Sequence, residues 1–369
     1  SSKTLEEKKE TYDDKDPVGQ YGTGFMTSHV FGKELIVDGG IAKGNGYIPL
    51  QDFTIDRRTD NWRELAKSIM KLKDQVASLL AGNGEPAPLP YPKTRFQYKF
   101  ANGQNRAAAQ KAIDSLELIL PYVMTFNPKL SHVKVTYLDG KVSVYEKNEA
   151  YRHGPVMVSP VVVDGSIKEI CYITTEDNKT TIVLPMDKDL KAKAFDAELP
   201  RLFLYYPLIG TENLGCNFIF HSRQFQPTEP RNALHLKSEY DSNKKEELQN
   251  QLLLENASGR IFGFLRDELS KVSDRIHLAT VNFPVASDDV FLNGFFKELK
   301  SKWIDAFKFL PFVETKSGPI TPVSATFLAP EILLLENGFE SCFPIAEMFY
   351  GTIPSKNLIK DWTAKLDEW

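Results

Sequence analysis

Three glycines, Gly19, Gly22 and Gly24, punctuate the stretch PVGQYGTGFMTSHVFGK at residues 17–33, just before an apolar segment. A G-x-x-G-x-G loop that opens a helix suits a phosphate. Residues without side chains let backbone N–H groups approach an anion, and the helix N-terminus adds partial positive charge. On this reading Gln20, Tyr21 and Thr23 donate backbone N–H groups while Phe25 faces the core. The glycine order reverses the dinucleotide fingerprint G-x-G-x-x-G, the charged EEKKETYDDKDP before it is no buried strand, and no Gly-Lys-Ser/Thr closes it as in a P-loop. Metal chemistry has no support: His29, His132, His153, His221, His235 and His277 show no ligand spacing and are expected to be structural. Cys171, Cys216 and Cys342 lie far apart, so neither a disulfide framework nor a zinc knuckle is expected, and the compartment implied is reducing.

The elements around the loop follow from periodicity. ELIVD and DFTID, flanking GGIAKGNG, predict an antiparallel sheet with a loose connection. From Trp62, the positions Leu65, Ile69, Leu72, Val76 and Leu79 share a helical face, with Asn61 and Glu64 spaced as a capping box and Gly82 as the stop. GNGEPAPLPYP breaks regular structure. TRFQYKF at residues 94–100 predicts a strand, and Ala109, Ala112, Ile113, Leu116 and Leu120 predict a helix ending before Pro121. Asp139-Gly140 and Asp164-Gly165, each between alternating runs, predict two hairpins, and TTIVL, RLFLYY and CNFIFH predict further strands. Residues 244–310 read as helical. The aromatic stripe from Phe291 to Phe307 is expected to be a packed helix face rather than a binding box, with Asp288-Asp289 at its N-cap. SKNLIKDWTAKLDEW adds a last helical stretch.

The 369 residues, 42% of them hydrophobic, can bury a large interior, and a net charge of −4 gives no global attraction to nucleic acid or an anionic membrane. No apolar run reaches a membrane span and the charged opening SSKTLEEKKE is no signal peptide, so a cytoplasmic protein is expected. Because the chain opens at Ser1 directly into a lysine-rich segment, it is expected to be part of a longer protein.

The glycine stretch, with a polar segment before it and VFGKELIVDG after it, resembles the second glycine motif of the GHKL ATPases, the superfamily of gyrase, the ninety-kilodalton heat-shock chaperone, histidine kinases and MutL. More narrowly, it is similar to bacterial proteins with a sacsin-type ATP-binding domain. TRFQYKF resembles the last strand of that nucleotide domain, so Thr94 matches the threonine that reaches the adenine site. LILPYVMTFNPKLSHVKV resembles the passage into a transducer or middle domain, and PRLFLYYPLIGTENLGCNFIFHSRQFQPTEPR its later strands and arginine-bearing segment. The resemblance covers most of residues 1–310. It implies an α+β fold: a GHKL-type α/β sandwich over 1–125 with a lid at 3–18, a mixed transducer-like domain over 126–290 and a helical region over 291–369.

For chemistry, it implies ATP and Mg²⁺ as cofactors, Lys3 touching phosphate from the lid entry, and Arg223 or Arg231 stabilising charge at the γ-phosphate. Glu229 or Asp241 could instead simply pair with either arginine. The family's E-x-x-x-N helix and D-x-G-x-G motif do not occur before the glycine loop, and are expected upstream of Ser1. With them, the protein is expected to be an ATP hydrolase that drives conformational change as a chaperone-like factor, with anti-phage defence among the roles implied and a homodimer and a protein client as partners. Without them, a catalytically inactive scaffold of the same shape is expected.

Overall fold

The computed structural model describes residues 30–59, 61–82, 85–90, 92–229, 231–239, 243–284, 289–329, 331–332 and 338–369. The protein is mixed α+β, with six helices and three sheets among the described residues. It divides into two compact units, Ser1–Leu116 and Glu117–Trp369. Residues 126–290 and 291–369, expected as separate regions, lie together in the second unit.

The first unit holds β1 (Glu34–Lys43), β2 (Gly46–Asp56), α1 (Trp62–Ala81), β3 (Ala87–Pro88) and β4 (Arg95–Lys99), with sheet order β3-β2-β1-β4. The segment GGIAK, expected as a loose connection, is strand: β1 and β2 pair from Glu34↔Asp56 to Lys43↔Gly46. The reversal needs only Gly44-Asn45, where Gly44 takes a φ of +55°, a conformation that costs glycine little. The proline-rich linker, expected to carry no regular structure, lays Ala87–Pro88 along the edge of β2. An edge strand tolerates proline because its outward side needs no ladder donor.

The predicted face of α1, which also takes in Ala66 and Leu80, is covered only in part: Leu65, Leu72, Val76 and Leu79 are half-buried, Ala66, Ile69 and Leu80 are exposed, and no residue of the helix is fully buried. Asn61 caps it, its side chain accepting from Arg63 N at 2.9 Å. The capping box is not closed as expected, because Glu64 Oε2 instead accepts from Thr59 Oγ1 at 2.9 Å. Asn61→Ala should lower the stability of this unit by about 1 kcal/mol in urea unfolding, the usual cost of losing an N-cap.

The second unit begins within α2 (Gly103–Phe126). This helix runs through Pro121 rather than ending before it. A helix-interior proline costs about 3 kcal/mol. Burial of Leu120, Tyr122, Val123, Met124 and Phe126 offsets that cost at roughly 1.5–3 kcal/mol for a full side chain.

Nine strands form the main sheet: β5 (His132–Thr136), β6 (Val142–Lys147), β7 (Tyr151–His153), β8 (Val156–Val163), β9 (Ser166–Thr174), β10 (Thr181–Val183), β11 (Leu202–Leu204), β12 (Tyr206–Pro207) and β13 (Ile219–His221). Their order is β12-β11-β13-β10-β9-β8-β6-β5, with β7 also on β8. Both predicted hairpins form. Asp164 and Gly165 take φ of 50° and 83°, the pair of positive values that a two-residue turn with strand-matching twist requires.

The sheet is covered on both faces at β10, β11 and β13, which is why these short strands read as nearly unbroken apolar runs, whereas β5 and β6 alternate. Val183, Phe203 and Ile219 pack under Tyr122, Val123 and Phe126 of α2. Their neighbours Ile182, Leu202, Leu204, Phe218 and Phe220 pack on the opposite side against α3 (Lys244–Glu268) and α4 (Val290–Phe307). In α4 the aromatic stripe is core, with Phe296, Leu299, Trp303 and Phe307 buried, and Asp289 caps its N-terminus by accepting from Leu292 N at 2.9 Å. A small hairpin, β14 (Val313–Thr315) and β15 (Gly318–Ile320), then α5 (Gly338–Phe349) and α6 (Ile359–Glu368), complete the unit. Among the described residues no helix is long and apolar enough to cross a membrane.

Candidate functional site

The glycine loop (Gly19, Gln20, Tyr21, Gly22, Thr23, Gly24, Phe25), Lys3, and Asp241 lie outside the described residues. The strand that follows the loop in sequence, β1, and the strand behind Thr94, β4, are direct hydrogen-bonded neighbours. Their register sets Asp38 opposite Arg95. Thr94, one residue before β4, therefore meets Gly39, where a Cβ would stand 3.3 Å from Thr94 Oγ1.

A β-bulge aims this corner. Gln51 and Asp52 of β2 together oppose Asp38, and Asp52 takes a φ of 48°. The Asp52 N–H then reaches Asp38 Oδ1 at 2.7 Å, and Arg95 Nη2 reaches Oδ2 at 2.5 Å. The Asp52 N–H first, and Arg95 after it, hold the Asp38 carboxyl below the usual range. The result is an ordered, exposed strand end with one hydroxyl presented beside a side-chain-free residue.

Arg223 and Arg231 belong to the second unit. Their segment leaves β13 and is clamped by a residue no motif flagged, Asn250 of α3, which is fully buried. Its Oδ1 accepts from Gln226 N at 2.8 Å, and its Nδ2 donates to Gln226 O at 2.8 Å and His235 O at 2.7 Å. Between these anchors the chain doubles back, with Pro227 bridged to Leu234 and Arg231 N donating to Thr228 O at 2.5 Å. Arg231, half-buried, sits at this turn with a φ of 71°. Arg223 is exposed and lies over the Tyr205 ring, 5.2 Å from its centroid.

Arg223 also lines a cavity of about 760 Å³; Arg231 does not. The end of α2, the Asp177–Lys179 turn and β13 wall the cavity. Lys147 closes one side, its Nζ donating to Met124 O at 2.9 Å and Asn127 O at 2.7 Å, and partial burial lowers its pKa. A lysine at these last carbonyls answers the negative end of the helix dipole. Lys179 pairs with Asp177 at 3.3 Å.

His221, expected to be merely structural, is buried in this wall. Its ring is stacked on Phe126 at 4.4 Å and its Nε2 has no hydrogen-bond partner. Burial, with a smaller contribution from Arg223, pushes its pKa down to about 3, so the imidazole is neutral at physiological pH. A histidine closing the apolar run FIFH, two residues before an arginine, is the signal that sequence reading passed over.

The cavity thus joins cations already held in place with a neutral imidazole. Ser159 is engaged with Thr125 at 3.1 Å and is not paired with a base, so the arrangement suits binding of a polar or anionic group rather than nucleophilic chemistry. Among the described residues no cluster of His, Cys, Asp and Glu could hold a metal ion. No protein-family model, no curated protein and no solved structure matches the chain.

Proposed function

We propose that the protein binds ATP with Mg²⁺ through a GHKL-type α/β sandwich in its first unit and uses hydrolysis to drive conformational change. The observation that carries this reading is the strand pairing of β1 with β4. The strand that follows the glycine motif and the strand headed by Thr94 are hydrogen-bonded neighbours, so the two segments the resemblance assigns to nucleotide feed one sheet. Gly39 fits the reading, since it leaves the Thr94 hydroxyl beside a residue without a side chain. Arg223 and Arg231 are the residues assigned to charge stabilisation during hydrolysis. Both stand on segments ordered by buried anchors, as a group acting on a transferring phosphoryl requires.

The test is ATP affinity, measured by calorimetry on the full-length protein. The double substitution Gly22→Ala, Gly24→Ala should weaken ATP at least tenfold, about 1.4 kcal/mol. Thr94→Ala, which removes one hydrogen bond, should weaken it by roughly two- to tenfold. Unchanged affinity in the glycine variant removes the proposal.

A further inference from the structure

Arg201 is a buried cation with no carboxylate in direct ion-pair contact among the described residues. It is 6% exposed and stands at the entry to β11. Its Nη1 donates to Leu199 O, its Nη2 to Asp196 O at 3.2 Å, and its guanidinium lies over Phe195 at 5.6 Å from the ring centroid. All three partners are neutral. Nε has no acceptor among the described residues, and the Glu212 and Asp196 carboxylates act on the group without a direct ion pair. Cys216 lies close enough to interact, yet burial pushes its thiol up to about 12, so it supplies no thiolate. Buried charges are ordinarily paired, because an uncompensated one costs several kcal/mol.

The same guanidinium lines a cavity of about 920 Å³ whose wall is built rigidly. Asn217 spends its whole amide on that wall: Oδ1 accepts from Phe195 N at 3.1 Å, and Nδ2 donates to Lys193 O at 3.1 Å and His277 O at 2.8 Å. Gly215, at a φ of 95°, lets the floor pass so close to Asn282 and Phe283 that any Cβ would overlap their backbone. The chain there is fixed by Asn282 N donating to Gly215 O at 2.7 Å. Lys300 adds a second cation to the lining. Three acids also line it: Glu212 accepts from Gly210 N at 3.1 Å and acts on the guanidinium without pairing with it, Glu368 holds Lys365 at 3.0 Å, and Asp361 is exposed.

We infer that this cavity in the second unit binds a small organic oxyanion, a carboxylate or phosphate group seated against the Arg201 guanidinium with Lys300 beside it. The volume is in the range of small-ligand sites, and Phe195 and Phe283 offer apolar surface for the rest of such a molecule. None of its lining residues is one assigned to ATP, so the two readings are tested separately.

The experiment measures thermal unfolding and calorimetric binding with sodium phosphate and sodium benzoate against sodium chloride at matched ionic strength. The proteins are the parent, Arg201→Gln, Lys300→Gln and the Gly22→Ala, Gly24→Ala variant. The parent should bind phosphate or benzoate in preference to chloride, and the probe preferred identifies the headgroup class. Arg201→Gln should weaken that binding roughly tenfold or more, as loss of a charged hydrogen bond implies. Lys300→Gln, on the half-buried rim, should weaken it severalfold while leaving the fold intact, and so serves if Arg201→Gln fails to fold. The glycine variant should retain it. No preference over chloride in the parent, or equal binding in the parent and Lys300→Gln together with a folded Arg201→Gln, overturns the inference.

Discussion

Replacing Trp303 with alanine lowers the unfolding free energy of the second unit by about 3–5 kcal/mol, the range for deleting a large aromatic from a packed core. Trp303 is 1% exposed. Phe218, Phe262, Phe283 and Phe307 surround it with ring centroids 5.3–5.8 Å away, tilted or edge-on as aromatic quadrupoles prefer. Its indole Nε1 donates to Ser258 Oγ at 3.1 Å, tying α4 to α3 at the point where both cover the sheet. No neighbour can collapse into the space, because Phe307 is itself held by Phe262 and Phe312. Trp62→Ala is the control. That side chain is 73% exposed at the start of α1, and its loss should change stability by less than about 0.5 kcal/mol. Urea unfolding followed by circular dichroism separates the two, and a Trp303→Ala loss below 1 kcal/mol would mean that the aromatic cluster is not the keystone of this core.

The same residue marks how much could be read beforehand. Leu292, Phe295, Phe296, Leu299, Trp303 and Phe307 recur at helical spacing, and a helix with one apolar stripe has no other way to bury it. The Asp-Gly hairpins were equally legible because their turns need positive φ, at both Asp164 and Gly165 and at Gly140, which narrows the residue choice sharply. Where reading failed, a non-local term had decided. Pro121 argues for a helix end, but the burial of Tyr122 through Phe126 under β10, β11 and β13 outweighs it, and those partners are 60 or more residues distant. GGIAK looks like a loop until the register with β2 gives its backbone partners.

The candidate site divides in the same way. Thr94 could be picked out as the head of a strand, whereas its neighbour Gly39 could not, since only the β1–β4 register brings them together. Arg201, His221 and Asn250 were invisible as chemistry. Arg201 and His221 are polar residues at the ends of apolar runs and Asn250 is one of three amides in a row, and what sets each apart is the presence or absence of a partner in three dimensions.

His221 turns that last point into a pH prediction. Its folded pKa is pushed down to about 3 from an ordinary 6.5, chiefly by burial. The unfolded chain therefore takes up a proton as pH falls through 6.5, while the folded protein refuses it until near 3. Stability from this group is complete above 6.5 and is lost progressively on acidification, by up to about 1.4 kcal/mol per pH unit. Between pH 7 and 4.5 the loss should reach about 2–3 kcal/mol.

The depressed carboxylates do not confuse that window. The pKa values of Asp38, Asp56 and Asp177 lie below the ordinary carboxylate value of 3.8, so their contribution stays in place above that pH and is lost only as pH falls further. His221→Phe keeps a ring against Phe126 and removes the titrating nitrogen. Urea unfolding of parent and variant at pH 7 and 4.5 should show the parent losing about 2–3 kcal/mol relative to the variant on acidification. A difference that stays constant across the two pH values would show that the folded protein accepts a proton at His221 without cost, and that the imidazole is not sealed behind Phe126.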